Sequence, residues 1–296
     1  MCSTSFLTSV ARLIRPSGTS AASSTRDIHV ARFSQRRRPD MSPLERVLAV
    51  VRDRVTRDAS LARSLARDLS VVATRGRTSF MNDYSPGVSA EDLVGILPDV
   101  CDALSTPRAD VFAATMRGTT FVINARALDG EGRRRTFVCL DGDVPELAGG
   151  TRARATAEAW DRARLAMSLA VRAMGDERVV IDLDAVLEAS GSALSPVTIA
   201  GILLDFPCVY AMEAESMTSA AAVLSSCALS VHSIECALGD GDVCSVYGWS
   251  IPSSLQIDDE RVSEWFDSAL QALRMLGFRA SHKVSHNASG SVKIVF

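Results

Sequence analysis

The chain has 296 residues, a formal net charge of −3, 47% hydrophobic and 23% charged side chains. That length allows one large domain or two small ones with a core that needs no disulfide staples, and the composition excludes disordered, collagen-like, coiled-coil and disulfide-scaffold classes. No apolar run reaches the ~18–20 residues of a membrane span; Ser195 to Tyr210 and Ala220 to Leu238 come nearest, and Asp205, Pro207, Ser225, Ser226, His232 and Glu235 break them.

Residues 1–40 carry seven Arg against Asp27 and Asp40. Phe6, Leu7, Val10, Leu13 and Ile14 would line one side of a short helix, and Arg32-Phe33-Ser34 has the form of a matrix-processing site. The segment reads as a mitochondrial transit sequence or as an unfolded basic tail with Arg36-Arg37-Arg38 as a nuclear signal. The fold is expected in residues 41–296, as one domain.

Ser42-Pro43-Leu44-Glu45 has the pattern of a capping box with proline at the first helical position. Apolar positions 44, 47, 48, 51, 55, 62, 65, 69 and 72 keep helical spacing, which predicts a helix or helix pair to about residue 73. Gly76 and the segment from Asn82 to Gly87 read as loop, and Ser89 caps a second helix that Pro98 is expected to kink or split. Val111 to Thr115 and Thr119 to Ala125 flank Arg117-Gly118, a hairpin pattern. A polar turn from Asp129 to Arg135 precedes a strand from Thr136 to Leu140, and a long helix follows over 152–174 with Gly175 placed to end it. Val179 to Leu183 reads as a short strand, Ser195-Pro196 as the start of a helix through Leu204, and Cys208 to Met212 as a strand after Pro207. Leu229 to Ala237 and Val243 to Ser250 flank the turn composition Gly239-Asp240-Gly241-Asp242. Asp258 caps an amphipathic helix presenting Trp265, Phe266, Ala269, Leu273 and Leu276, and a last hairpin is predicted from Phe278 to His286 and Ser291 to Phe296. Interleaved helices and strands with intruding hairpins predict an α/β class, α+β being the alternative, with a mixed sheet and helices on both faces.

Charge is divided along the chain. Through Arg178 there are 27 basic and 21 acidic side chains, and from Val179 onward 5 and 14. Between Val179 and Glu260 stand 12 carboxylates and no Lys or Arg, so partners for Asp182, Asp184, Asp205, Glu213 or Glu235 must come from elsewhere in the fold or from a bound cation. Of the 32 basic residues 30 are Arg, scattered without forming a recognition stripe, so nucleic acid is not the expected partner. Arg133-Arg134-Arg135 and the helix carrying Arg152, Arg154, Arg162, Arg164 and Arg172 are the places that would reach phosphates.

Seven cysteines without a C-x-x-C pair argue for reduced thiols in an intracellular compartment. Cys227, His232, Cys236 and Cys244 resemble a metal set until geometry is applied: on one strand, His232 and Cys236 sit about 13 Å apart, too far to share a zinc ion. Val179-Val180-Ile181-Asp182-Leu183-Asp184 is an apolar strand ending in D-x-D, similar to the first motif of haloacid-dehalogenase-type phosphatases. That resemblance implies a nucleophilic first carboxylate and a second that handles the leaving-group proton, and two such acids past a strand can hold Mg²⁺. The chain departs from it in having Ala185-Val186 where Gly-Thr is usual and in placing the motif late. As an enzyme of this kind the chain should gather Asp182, Asp184 and Asp141 or Asp242 around one cleft. Asp141-Gly142-Asp143 and Asp240-Gly241-Asp242 otherwise read as turns. His232 is the one histidine placed where a buried imidazole could meet Cys208 or Cys244.

Thr198-Ile199-Ala200-Gly201-Ile202-Leu203-Leu204-Asp205-Phe206-Pro207-Cys208-Val209-Tyr210, followed by Val246-Tyr247-Gly248-Trp249-Ser250-Ile251-Pro252-Ser253-Ser254-Leu255, resembles a eukaryotic family of unknown function whose human member is an open reading frame on chromosome 1. That family has an A-G-I-L-L-G-Y-P-x-x-Y segment and, after a β-rich interval, S-F-S-x-P-x-x-L. Here Asp205 stands where Gly is expected and Phe206 where Tyr is expected. The resemblance implies no reaction. The expected function is a binding or scaffolding domain with a small-molecule or peptide pocket near Tyr210 and Trp249; a metal-dependent, phosphatase-like hydrolase with Mg²⁺ at Asp182 and Asp184 is the alternative.

Overall fold

The computed structural model describes residues 41–85, 87–129, 135–174, 180–213, 217–237, 243–255, 257 and 259–287. The expected transit segment or tail, Gly175, the Gly239-to-Asp242 turn, Asp258 and the strand from Ser291 lie outside those residues.

The helix pair begins as its capping box demands. The Glu45 amide donates to Ser42 Oγ at 3.3 Å and the Ser42 amide to Glu45 Oε2 at 2.6 Å, opening α1 (Pro43–Arg54). Asp58 takes the Leu61 amide at 2.8 Å and opens α2 (Ala59–Ala73). Ser89 and Asp92 form a second capping box at α3 (Ala90–Leu104), which is a single helix across Pro98 rather than two. Its buried side, Leu93, Ile96, Leu97, Val100 and Cys101, packs with α1 and α2 in one core, and this packing offsets the backbone bond that proline forfeits.

Strand β1 (Ser79–Asn82), unannounced by the sequence pattern, pairs antiparallel with β3 (Thr119–Asn124), which forms the expected hairpin with β2 (Val111–Met116). Period-two alternation assigns the faces. Val111, Ala113, Val122 and Phe80 join the core of α1 to α3. Phe112, Ala114, Met116, Phe121 and Ile123 face the opposite core. There they meet Trp160 and Met167 of α5 (Gly150–Met174), Leu183 and Val186 of α6 (Leu183–Ala189), and Ile199 and Ile202 of α7 (Pro196–Leu203). A two-residue strand, β6 (Ile181–Asp182), joins this sheet in parallel beside β2. The sheet is thus mixed and helix-covered on both faces. The short helix α4 (Ala125–Asp129) follows β3 directly.

Two further sheets complete the chain, where the sequence suggested one. Strand β4 (Thr136–Cys139) lies between β5 (Glu146–Leu147), antiparallel, and β7 (Cys208–Ala211), parallel. Helix α8 (Met217–Ser226) covers it with Ala220 and Leu224. Strands β8 (Leu229–Ala237), β9 (Cys244–Pro252) and β10 (Arg279–Asn287) form an antiparallel sheet in the order β10-β8-β9. Helix α9 (Asp259–Met275) lays Trp265, Phe266, Ala269 and Leu273 on it. No helix among the described residues is long and apolar enough to cross a membrane.

Candidate functional site

The Ser195-to-Tyr210 segment folds as a helix locked to the strand that follows it. Ser195 Oγ takes the Thr198 amide at 3.2 Å, and the Thr198 hydroxyl donates to the Tyr210 carbonyl at 2.8 Å while accepting the Met212 amide at 3.3 Å. A Cβ on Gly201 would stand 3.1 Å from a Val209 methyl, so this glycine lets α7 lie directly on β7. The helix closes with a Schellman pair: the Phe206 amide donates to the Gly201 carbonyl at 3.1 Å and the Asp205 amide to Ile202 at 3.0 Å. Asp205 therefore sits at φ +60°. This is the left-handed position that explains why glycine is expected there, and the aspartate is tied down instead. Its carboxylate accepts from Arg135 at 2.9 Å, both side chains being largely buried, and its carbonyl accepts the Trp265 indole N–H at 2.6 Å.

Past this corner opens a cleft of about 670 Å³, within the ~300–1,000 Å³ of ordinary ligand pockets. Its walls include Met116, Arg117, Thr119 and Phe121 of the β2–β3 hairpin, Ala200 of α7, Leu204, Phe206, Cys208 and Tyr210 after it, and Trp249 and Ser250 of β9. Both segments that carry the family resemblance thus meet in one place, as expected for Tyr210 and Trp249. The Tyr210 hydroxyl donates to the Ser250 carbonyl at 2.7 Å and joins β7 to β9, while Phe206 stacks on Trp249 with ring centroids 5.8 Å apart. Burial pushes both the Cys208 thiol and the Tyr210 hydroxyl up to about 12, so neither is an activated nucleophile or base. Trp249 is 7% exposed and its indole Nε1 is buried with no hydrogen-bond partner among the described residues. An orphan donor of this kind is costly unless something accepts from it.

The predicted metal pair has other partners. Asp182 is the N-cap of α6, accepting the Ala185 amide at 3.1 Å. Asp184 accepts the Arg117 amide at 2.7 Å, with the Arg117 guanidinium at 3.6 Å, and so latches the hairpin turn where Arg117 has φ +50°. Asp141 pairs with Arg152, and Asp242 lies outside the described residues. Among the described residues no three His, Cys, Asp or Glu side chains gather as a metal-binding group, and the hydrolase alternative finds no support. The acid-only span is instead supplied by cations from outside it: Arg117 for Asp184, Arg135 for Asp205 and Lys283 for Glu235 at 3.2 Å.

His232 lies opposite Trp249 in the strand register, whereas Cys244 lies opposite Cys236. The His232 ring stacks between Trp249, at 5.2 Å, and His282, at 5.6 Å. The sequence reading missed two features: the orphan indole, which no sequence pattern marks, and the meeting of Cys236 with Cys244, whose sulfurs lie 3.7 Å apart.

No curated protein and no solved structure matches the chain. A family model described as Domain of unknown function (DUF4504) matches residues 47–283, a span that takes in α2 to α9, β1 to β9, the first part of β10 and every wall of the cleft. The chain belongs to that family.

Proposed function

We propose that the protein is a binding domain for an apolar small molecule that carries a hydrogen-bond acceptor, seated in the cleft between α7, β7 and β9. The observation that supports this most is the cleft itself, walled largely by apolar side chains with Arg117 and Thr119 as donors on one side; such cavities with few convergent polar groups are the usual form of small-molecule sites. The raised Cys208 and Tyr210 support binding over catalysis. The binding unit in this reading is residues 41–296, and its setting is intracellular, cytoplasmic unless residues 1–40 direct it to mitochondria. Nucleic acid is not the expected partner in this reading, and three of the eight arginines placed to reach phosphates serve the fold: Arg135 holds Asp205, Arg152 holds Asp141, and Arg164 lies 3.7 Å from Asp161.

The test uses anilinonaphthalene sulfonate, whose rings suit the walls and whose sulfonate can accept from Arg117 or Thr119. Wild type should show saturable fluorescence enhancement. Ala200→Phe, which fills the cleft, should abolish it without lowering the melting temperature. Equal enhancement in wild type and Ala200→Phe, or none in wild type, would overturn the reading.

A further inference from the structure

The end of the C-terminal sheet nearest α2 holds chemistry that the cleft does not use. Along β8 and β9 the register runs Ile234 opposite Tyr247, then shifts so that Glu235 faces Ser245 and Cys236 faces Cys244. The shift leaves Val246 as an extra residue on β9, a β-bulge. Without it Cys236 would face Ser245, so the bulge is what brings the two thiols opposite one another. Their sulfurs lie 3.7 Å apart. Directly opposed residues on antiparallel strands have Cα atoms ~4.5–5.5 Å apart, inside the ~4.4–6.8 Å range that a disulfide spans. Closure brings the two sulfurs together by rotation of the two side chains.

The two cysteines differ in access and surroundings. Cys236 is 1% exposed, whereas Cys244 is half-buried. The Arg67 side chain comes within hydrogen-bond reach of Cys244, and Asp68 stands beside it. Hydrogen bonding with Cys236 lowers the Cys244 thiol against the opposing effect of burial, with the Arg67 charge acting in the same direction, and the same sharing raises Cys236. Burial raises Cys101, Cys139 and Cys208, and Cys227 donates to the Val223 carbonyl at 3.1 Å.

We propose that Cys244 and Cys236 form a peroxide-reactive dithiol, in which Cys244 is oxidised first and Cys236 resolves it as a cross-strand disulfide. The Cys244 thiolate attacks one oxygen of a hydroperoxide. An S–O bond forms, the O–O bond breaks, and the departing hydroxide or alkoxide takes up a proton, leaving a sulfenic acid. The Cys236 sulfur then attacks that sulfenic sulfur. The S–S bond forms as the S–O bond breaks, and hydroxide leaves as water with the proton from Cys236. Two thiols are oxidised by two electrons and the peroxide is reduced by two.

The experiment treats the reduced full-length chain with about one equivalent of hydrogen peroxide, blocks remaining thiols, and maps peptides by mass. Wild type should yield an intramolecular Cys236–Cys244 peptide lighter by two hydrogens and restored by dithiothreitol. Cys236→Ser should retain the sulfenic acid on Cys244, trapped by dimedone on the order of tenfold more than any other cysteine of the described residues, as expected for a thiol with a cationic neighbour. The proposal fails if the link is absent from wild type, if Cys244 is found only in links between chains, or if another cysteine takes the dimedone first. Should Cys236→Ser not fold, the wild-type peptide map decides alone.

Discussion

Asp205 shows how one residue can depart from a family pattern and keep its backbone. Its position demands a left-handed conformation that glycine adopts freely and other residues adopt at a cost of about 1–2 kcal/mol, and the aspartate offsets this through Arg135. Asp205→Gly should lose the ion pair and relieve the backbone; Asp205→Ala should lose the pair and keep the strain. Both variants should melt below wild type, with alanine less stable than glycine by about 1 kcal/mol in urea unfolding. An alanine variant as stable as the glycine one would mean that the backbone angle is not what selects glycine here. The motif was legible in the sequence and the departure was visible, but the compensating partner, Arg135, lies 70 residues earlier in the chain and carries no sequence signal.

At the scale of elements, capped helices and alternating strands were readable because their causes are local. Ser42 with Glu45, Ser89 with Asp92, and Ser195 before Pro196 each open the helix they predict. Strand β1 and helix α8 escaped for the opposite reason. Four residues of β1 show too little alternation to register, and the apolar surface of α8 runs on into β8 without a stop signal. The division into three sheets and the Val246 bulge arise from pairing between distant segments, which periodicity does not record. The D-x-D after β6 was correctly placed at a strand end, where it serves as cap and latch. Asp182→Asn should therefore keep α6 intact, since asparagine caps as well as aspartate, whereas Asp182→Ala should cost about 1 kcal/mol. Calorimetric titration with Mg²⁺ should give no heat with wild type or Asp182→Asn; heat with wild type that Asp182→Asn removes would return these acids to a metal site.

At the scale of the whole molecule, Arg117–Asp184 and Arg135–Asp205 pair the basic first half with the acidic second, while the C-terminal sheet is bound to the α2 end by a cation–π contact and hydrogen bonds. Arg77 lies over the Tyr247 ring, 4.6 Å from its centroid, and donates to the Val246 carbonyl at 3.0 Å. The Tyr247 hydroxyl donates to the Gly76 carbonyl at 3.1 Å. Beside them Arg67 pairs with buried Asp68 at 2.8 Å, and Tyr84 turns its hydroxyl onto the same carboxylate at 2.6 Å. Tyr247→Phe should cost about 1 kcal/mol for the lost hydrogen bond and lower the melting temperature by roughly 2–4 °C in a chain of this size. Tyr247→Leu should cost about 1–2 kcal/mol more by removing the ring from Arg77 and Trp265 as well. Equal losses in the two variants would show that the aromatic contacts do not hold the sheet in place.

The backbone oxygen of Asp205 is gripped by Trp265 while the neighbouring Phe206 lies against Trp249. Whatever enters beside Phe206 therefore works against the same two-residue pivot that anchors the last long helix. Were a ligand to displace that pivot, occupancy on one side and seating of that helix on the other would be linked, each shifting the other by an equal free energy.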